Sequence, residues 1–178
     1  MNIPNKLTLI RLLIAIVGFV LIILDFWVYA FNLILIAVIL DIVDGKVARF
    51  FKETSKQGIF LDVMADKIVI ITTFLLIGIK INIAFFYLGL LMLLREYSID
   101  TMRSIAAASN NVISADRFSK IKGVIFMFSM LVMIGNYVFF KNNIFVQQSM
   151  VILASFGMLL AYITLLRFFF MYKKQLLD

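Results

Sequence analysis

Six stretches of the chain are almost uninterrupted runs of apolar residues, at about Leu7–Leu24, Val28–Val47, Ile59–Ile79, Ile83–Ile99, Ile121–Phe140 and Phe145–Tyr172. Each approaches the ~20 residues with which an α-helix crosses a hydrocarbon core of about 30 Å, and the last has room for tilt. The pattern predicts an all-α, polytopic membrane protein with six transmembrane helices, built as one domain over residues 1–178. Three connections, Asp25–Trp27, Lys80–Asn82 and Lys141–Asn143, are very short. Met1–Thr8 reads as an interfacial segment without a cleavage pattern. Pro4 lies ahead of the first run, where its preset φ and missing N–H do a helix no harm.

Charge gives these runs a direction. Of 17 basic residues, only Lys80 and Lys141 fall in the three short connections; the others face the opposite side. Basic residues concentrate on the cytoplasmic side of a membrane, so both termini are expected there, in an inner or plasma membrane. Composition agrees: 64% of the 178 residues are hydrophobic and 15% charged, against roughly 25% charged in a soluble domain. The net charge of +7 is read as this asymmetry plus an affinity for anionic membrane lipids or phosphate substrates, with no nucleic-acid partner. The chain has no cysteine and no histidine, which excludes thiolate nucleophiles and the usual neutral-pH base. Acid–base chemistry falls to carboxylates, Lys or Tyr.

The polar residues inside the apolar runs carry the chemical information. Asp41 and Asp44 close the second run, and Asp62 and Asp66 open the third. Spacings of three and four put each pair on one helical face. With only a short loop around Lys52–Gln57 between them, the two helices are expected to be antiparallel neighbours whose carboxylate faces meet. Four carboxylates at close range in an apolar setting need counter-charge. Two hard divalent cations, which take oxygen ligands, would supply it. Gly45, Ala48 and Gly58 lie on the same faces and leave a strip without bulk. Close helix packing is the competing account of one glycine, and interfacial solvation that of one aspartate; neither accounts well for the full set.

The string Asp41-x2-Asp44-Gly45-x2-Ala48-Arg49-x8-Gly58-x3-Asp62-x3-Asp66 resembles the complete signature of the CDP-alcohol phosphatidyltransferase family, eight fixed positions in order. The resemblance implies that an alcohol attacks the β-phosphorus of a CDP-linked lipid and CMP leaves. It implies that Asp41, Asp44, Asp62 and Asp66 hold two metal ions, Mg²⁺ or Mn²⁺, and that Asp66 is also the catalytic base. Asp41, Gly45, Ala48, Arg49 and Gly58 would receive the CDP-lipid. Family members are commonly homodimers, so a homodimer is implied as well.

Other segments bear on the acceptor. Asn2 to Arg11, with Asn5, Thr8 and Arg11 as possible substrate contacts, is similar to the N-terminal segment of members that make phosphatidylglycerophosphate. So are Arg95-Glu96-Tyr97, Arg103 and Ser119-Lys120-Ile121-Lys122-Gly123, although Ser119 and Gly123 depart from the Gly and Thr usual there. The implied substrates are CDP-diacylglycerol and glycerol 3-phosphate, with Arg103, Arg117, Lys120 and Lys122 binding the acceptor phosphate. Inositol phosphate, serine or a lipid are the alternative acceptors. Lipid-headgroup contact is the competing account of the basic residues; for Arg95 and Glu96 it is an intrahelical polar pair. A carboxylate-lined ion transporter is a different class of function; it predicts acids deep in several runs, and the first, fifth and sixth have none.

Overall fold

Runs of Leu, Ile, Phe and Met broken by few charges satisfy their backbone polar groups internally by coiling into helices, the economical solution in an apolar solvent. The computed structural model describes residues 3–51, 56–108 and 117–177, with side chains at 6–41, 58, 60–105 and 121–170. Among them the regular elements are helices only: α1 (Ile3–Ile23), α2 (Trp27–Phe51), α3 (Lys56–Lys80), α4 (Ile83–Ala108), α5 (Arg117–Phe139) and α6 (Ile144–Leu177). The loops around 52–55 and 109–116 lie outside the described residues. Three helices are long and apolar enough to cross a membrane, over Lys6–Ile23, Ile121–Phe139 and Ile144–Phe170, and α2 carries a shorter apolar run, Trp27–Asp41.

The helices outrun the apolar stretches. α1 takes in residues expected to form a separate interfacial segment, and α4 continues past Ile99 to Ala108. Within α4 the hydroxyls of Ser98, Thr101 and Ser104 donate to the carbonyls four residues back, at 2.8–2.9 Å. Polar residues can therefore sit on the helix without breaking it.

The short connections close their helices with side-chain caps. Asn82 Oδ1 accepts from Ala84 N at 3.0 Å, and Asn143 Oδ1 from Phe145 N at 2.9 Å, each satisfying a donor the first turn leaves open. Asp25, at φ 64°, turns the chain between α1 and α2. Its carboxylate accepts from Lys80 Nζ at 2.9 and 3.0 Å, and this hydrogen bond holds Asp25 below the usual carboxylate range.

Sequential helices pair as α1–α2, α3–α4 and α5–α6; α3 packs on α1 and α5, α5 on α2, and α4 on α6. The carboxylate faces of α2 and α3 meet as expected, with oxygens of Asp41, Asp62 and Asp66 within 4.8 Å of one another; among the described residues the two backbones are not closely packed, and α1 lies against both. From α1 comes Arg11, which pairs with carboxylates of both helices. The core is apolar and aromatic, with Phe74 at 5.1 Å from Phe85 and edge-on to Phe126 at 5.8 Å, joining α3, α4 and α5. The outer face is apolar too: Leu13, Tyr29, Tyr87, Phe145, Ile152 and Phe170 are all at least 60% exposed. Such a surface is matched to lipid rather than water.

Two contacts lock the helix pairs and yield predictions. A Cβ on Gly78 would stand 2.1 Å from the backbone nitrogen of Phe86, whereas one on Gly135 would meet only the Phe31 ring at 3.4 Å. Gly78→Ala should lower stability by about 1–3 kcal/mol or more, and Gly135→Ala should stay within about 1 kcal/mol of the parent; thermal unfolding in detergent reads both. Arg95, 2% exposed, ties α4 to α6 by donating to Ala161 O at 3.3 Å and Thr164 Oγ1 at 2.9 Å, and it pairs with Glu96. Arg95→Met removes the hydrogen bonds that join α4 to α6 and one of the three cations around Glu96, and should destabilise by about 1.5–3 kcal/mol. Unchanged unfolding of that variant would show that Arg95 has no structural role.

Candidate active site

Arg11 lies one helical turn inside an apolar run, so its permanent charge must find carboxylates. It finds three. Nη1 pairs with Asp41 Oδ1 and lies 3.1 Å from Asp66 Oδ1, while Nη2 is 3.3 Å from Asp62 Oδ1 and 3.4 Å from the Asp62 carbonyl. The Arg11 side chain is 2% exposed; those of Asp41, Asp62 and Asp66 are 20%, 46% and 39% exposed. One guanidinium from α1 thus gathers a carboxylate from α2 and two from α3.

Asp41, Asp62 and Asp66 each offer an oxygen within 4.8 Å of the other two. That is a hard-oxygen donor set of the kind Mg²⁺ or Mn²⁺ takes, so the residues present fit a divalent ion. Asp44, Gly45, Ala48 and Arg49 belong to α2, but their side-chain positions lie outside the described residues. Gly58 is half-buried near the start of α3, and Thr8 is buried one turn before Arg11.

Asp66 also borders a second space. A cavity of about 150 Å³ opens between α3, α4 and α5, with Asp66, Lys67, Glu96 and Lys122 as its polar wall and Ile70, Ile71, Met92, Gly123 and Phe126 as its apolar one. A space of this volume admits a small molecule of benzene size, not a lipid. Glu96 Oε1 accepts from Lys122 Nζ at 2.7 Å and pairs with Arg95, while its Oε2 is 3.5 Å from Lys67 Nζ. Lys67 in turn donates to both oxygens of Asp100 at 2.6 and 2.7 Å. Lys67 and Asp100 were not singled out in the sequence. The available signal was Lys67 itself, a cation next to Asp66 and about two turns into an apolar run.

Of the four basic residues expected at an acceptor phosphate, Lys122 reaches the cavity. Arg103 is half-buried on α4, with its Nε buried and without a partner among the described residues. The side chains of Arg117, Lys120 and Asn5 lie outside the described residues. Glu96 joins the cavity wall, whereas Arg95 turns to α6.

Sequence comparison agrees with this geometry. A CDP-diacylglycerol--glycerol-3-phosphate 3-phosphatidyltransferase of Wigglesworthia glossinidia brevipalpis is 28% identical over 187 residues, spanning 99% of this chain and 97% of its own. Proteins of the same name from Blochmanniella floridana and Bacillus subtilis are 38% and 27% identical over 68% of this chain, covering 67% and 70% of theirs. The sequence profile of CDP-alcohol phosphatidyltransferases matches residues 1–166, and the chain belongs to that family.

Proposed function

We infer that this protein transfers the phosphatidyl group of CDP-diacylglycerol to glycerol 3-phosphate, giving phosphatidylglycerophosphate and CMP. The relatives described above carry that activity in their names. The observation that carries the reading is the double exposure of Asp66, which borders both the carboxylate cluster and the cavity holding Lys122. Donor and acceptor would meet at that side chain.

In this reading Asp66 accepts the proton of an acceptor hydroxyl as its oxygen attacks the β-phosphorus, and the bond to CMP breaks. Asp41, Asp44, Asp62 and Asp66 hold two divalent ions, which when bound offset charge on the pyrophosphate and on departing CMP. Gly45, Ala48 and Gly58 let the cytidine diphosphate approach α2 and α3, and Arg49 meets its phosphates. Lys122, with Arg103, Arg117 and Lys120, draws the acceptor phosphate; Asn5 and Thr8 line the approach. Lys as a point charge and Arg as a fork both suit phosphate. A phosphate-free acceptor such as serine would have no use for these basic residues.

The same reading makes all six helices spans of one catalytic domain, with both termini and the active site on the cytoplasmic side of the cell membrane. α2, α3 and α4 contain 25, 25 and 26 residues, which at 1.5 Å per residue exceeds a core of about 30 Å. Their described acids cluster at the end that carries the basic residues, Asp25 excepted. Anionic lipids at that face and a homodimer belong to this reading on family grounds. Reporter fusions at residues 52–57 and 109–116 should report the cytoplasm; an external signal from either would put the site on the wrong side for CMP-releasing chemistry.

Substitutions separate the donor from the acceptor machinery. Asp41→Asn, Asp62→Asn and Asp66→Asn should nearly abolish turnover while membrane insertion persists; near-normal turnover at limiting Mg²⁺ would remove that residue from the metal set. Lys122→Gln deletes a charge-assisted contact of about 1.5–3 kcal/mol, so KM for glycerol 3-phosphate should rise by about one to two decades with little change for CDP-diacylglycerol. Equal effects on both substrates, or efficient use of free glycerol, would overturn the acceptor assignment.

A further inference from the structure

The residue at the centre of the carboxylate cluster is not an aspartate but Arg11, whose two terminal nitrogens engage Asp41, Asp62 and Asp66 together. We propose that Arg11 is a tethered counter-cation of the metal site. It holds the three aspartates together before loading and surrenders carboxylate oxygens to the divalent ion, so that it sets metal affinity below what the aspartates alone would give. The inference rests on the reading of these aspartates as metal ligands.

Three observations carry it. Each of the three carboxylates that converge within 4.8 Å already has an Oδ1 atom engaged by Arg11, so a cation arriving there meets a cation in place. Beside them the free space is about 10 Å³, bordered by Arg11, Asp41 and Asp66, room for about one water molecule. Loading must therefore redistribute existing contacts rather than fill a vacant cage. The redistribution is confined to the side chain, because α1 is fixed against α2: a Cβ on Gly18 would already stand 3.1 Å from Ile34. Arginine stays protonated, so unlike a lysine it cannot resolve the conflict by losing a proton.

The test uses the full-length protein in nanodiscs without substrate, with Mn²⁺ binding followed by electron paramagnetic resonance. Arg11→Gln keeps amide donors and removes the charge. It should bind Mn²⁺ roughly tenfold or more tightly, since a like charge beside a divalent ion is gone. Arg11→Lys keeps the charge and should remain within about threefold of the parent. In EDTA, Arg11→Gln should unfold at lower temperature than the parent, and Mn²⁺ should raise its Tm by more than it raises the parent's, as linkage requires. Unchanged or weaker Mn²⁺ binding by folded Arg11→Gln would overturn the proposal, and is the result expected if Arg11 serves only packing or a substrate phosphate. Should Arg11→Gln not fold, Mg²⁺ titrated into the ¹⁵N-arginine-labelled parent decides. The guanidinium resonance missing from Arg11→Lys should move on loading, and a stationary resonance overturns the proposal. Failure of both the parent and folded Arg11→Gln to bind Mn²⁺ saturably would sink the metal-site reading and this inference together, whereas saturable binding with no difference between the two sinks the inference alone.

Discussion

Charges brought into an apolar helix bundle must be compensated within the bundle. Two like charges about 4 Å apart at an effective dielectric of ~20 repel by about 4 kcal/mol, a large share of the 5–15 kcal/mol that holds a typical domain folded. Three aspartates at such spacing would drive α2 and α3 apart. Arg11 reverses the sign of that interaction, and its place on α1 explains why α1 lies against both helices. The helix order at this end follows from where one guanidinium has to be.

α3 is the axis on which the chemistry is arranged. Asp62 and Asp66 turn toward Arg11, while Lys67, one residue on, reaches Glu96 and Asp100 of α4. A negative cluster and a cavity of mixed charge thus stand on neighbouring faces of one helix, with Asp66 bordering both. That juxtaposition suits a reaction in which a metal-bound pyrophosphate and a phosphorylated alcohol must be close without sharing a subsite. Glu96 keeps Lys122 and Lys67 near each other, which two unshielded ammonium groups in an apolar wall would not do.

The helices and the aspartate faces were legible in the sequence because both depend on local spacing. Apolar runs located six helices to within a few residues at most ends, and i, i+4 spacing put Asp62 with Asp66. What could not be read was non-local. Spacing and a short connection brought the carboxylate faces of α2 and α3 together, but not Arg11, fifty-one residues from Asp62, which sits among them. Arg95 resembled a substrate contact by its place in a motif, but its partners Ala161 and Thr164 lie on a stretch of generic membrane helix that carries no motif. Lys67 passed as one more cytoplasmic cation until α4 brought Glu96 and Asp100 to it. Side chains with long reach choose partners by tertiary placement, and one-dimensional spacing does not encode that choice.

The two ends of the bundle are held by different kinds of bond, and the difference fits their tasks. At the far end Asn136 exchanges two hydrogen bonds with the Asn143 backbone at 3.1 Å, and Gln147 joins Asn82 to Asn142. Apart from the exposed Lys80–Asp25 pair, these are neutral amide contacts, for which no incoming ion or phosphate competes strongly. At the active end the described contacts between helices are mainly charge pairs: Arg11 with three aspartates, Lys67 with Asp100, Lys122 with Glu96. Each such pair can be traded for a pair with a metal ion or a phosphate at little net change in charge compensation, whereas a neutral amide clasp cannot. An enzyme that must admit a divalent ion, a pyrophosphate and a charged acceptor through one end of a lipid-embedded bundle can keep its helices registered by the neutral end. Exchangeable bonds are then confined to the end where exchange is the chemistry.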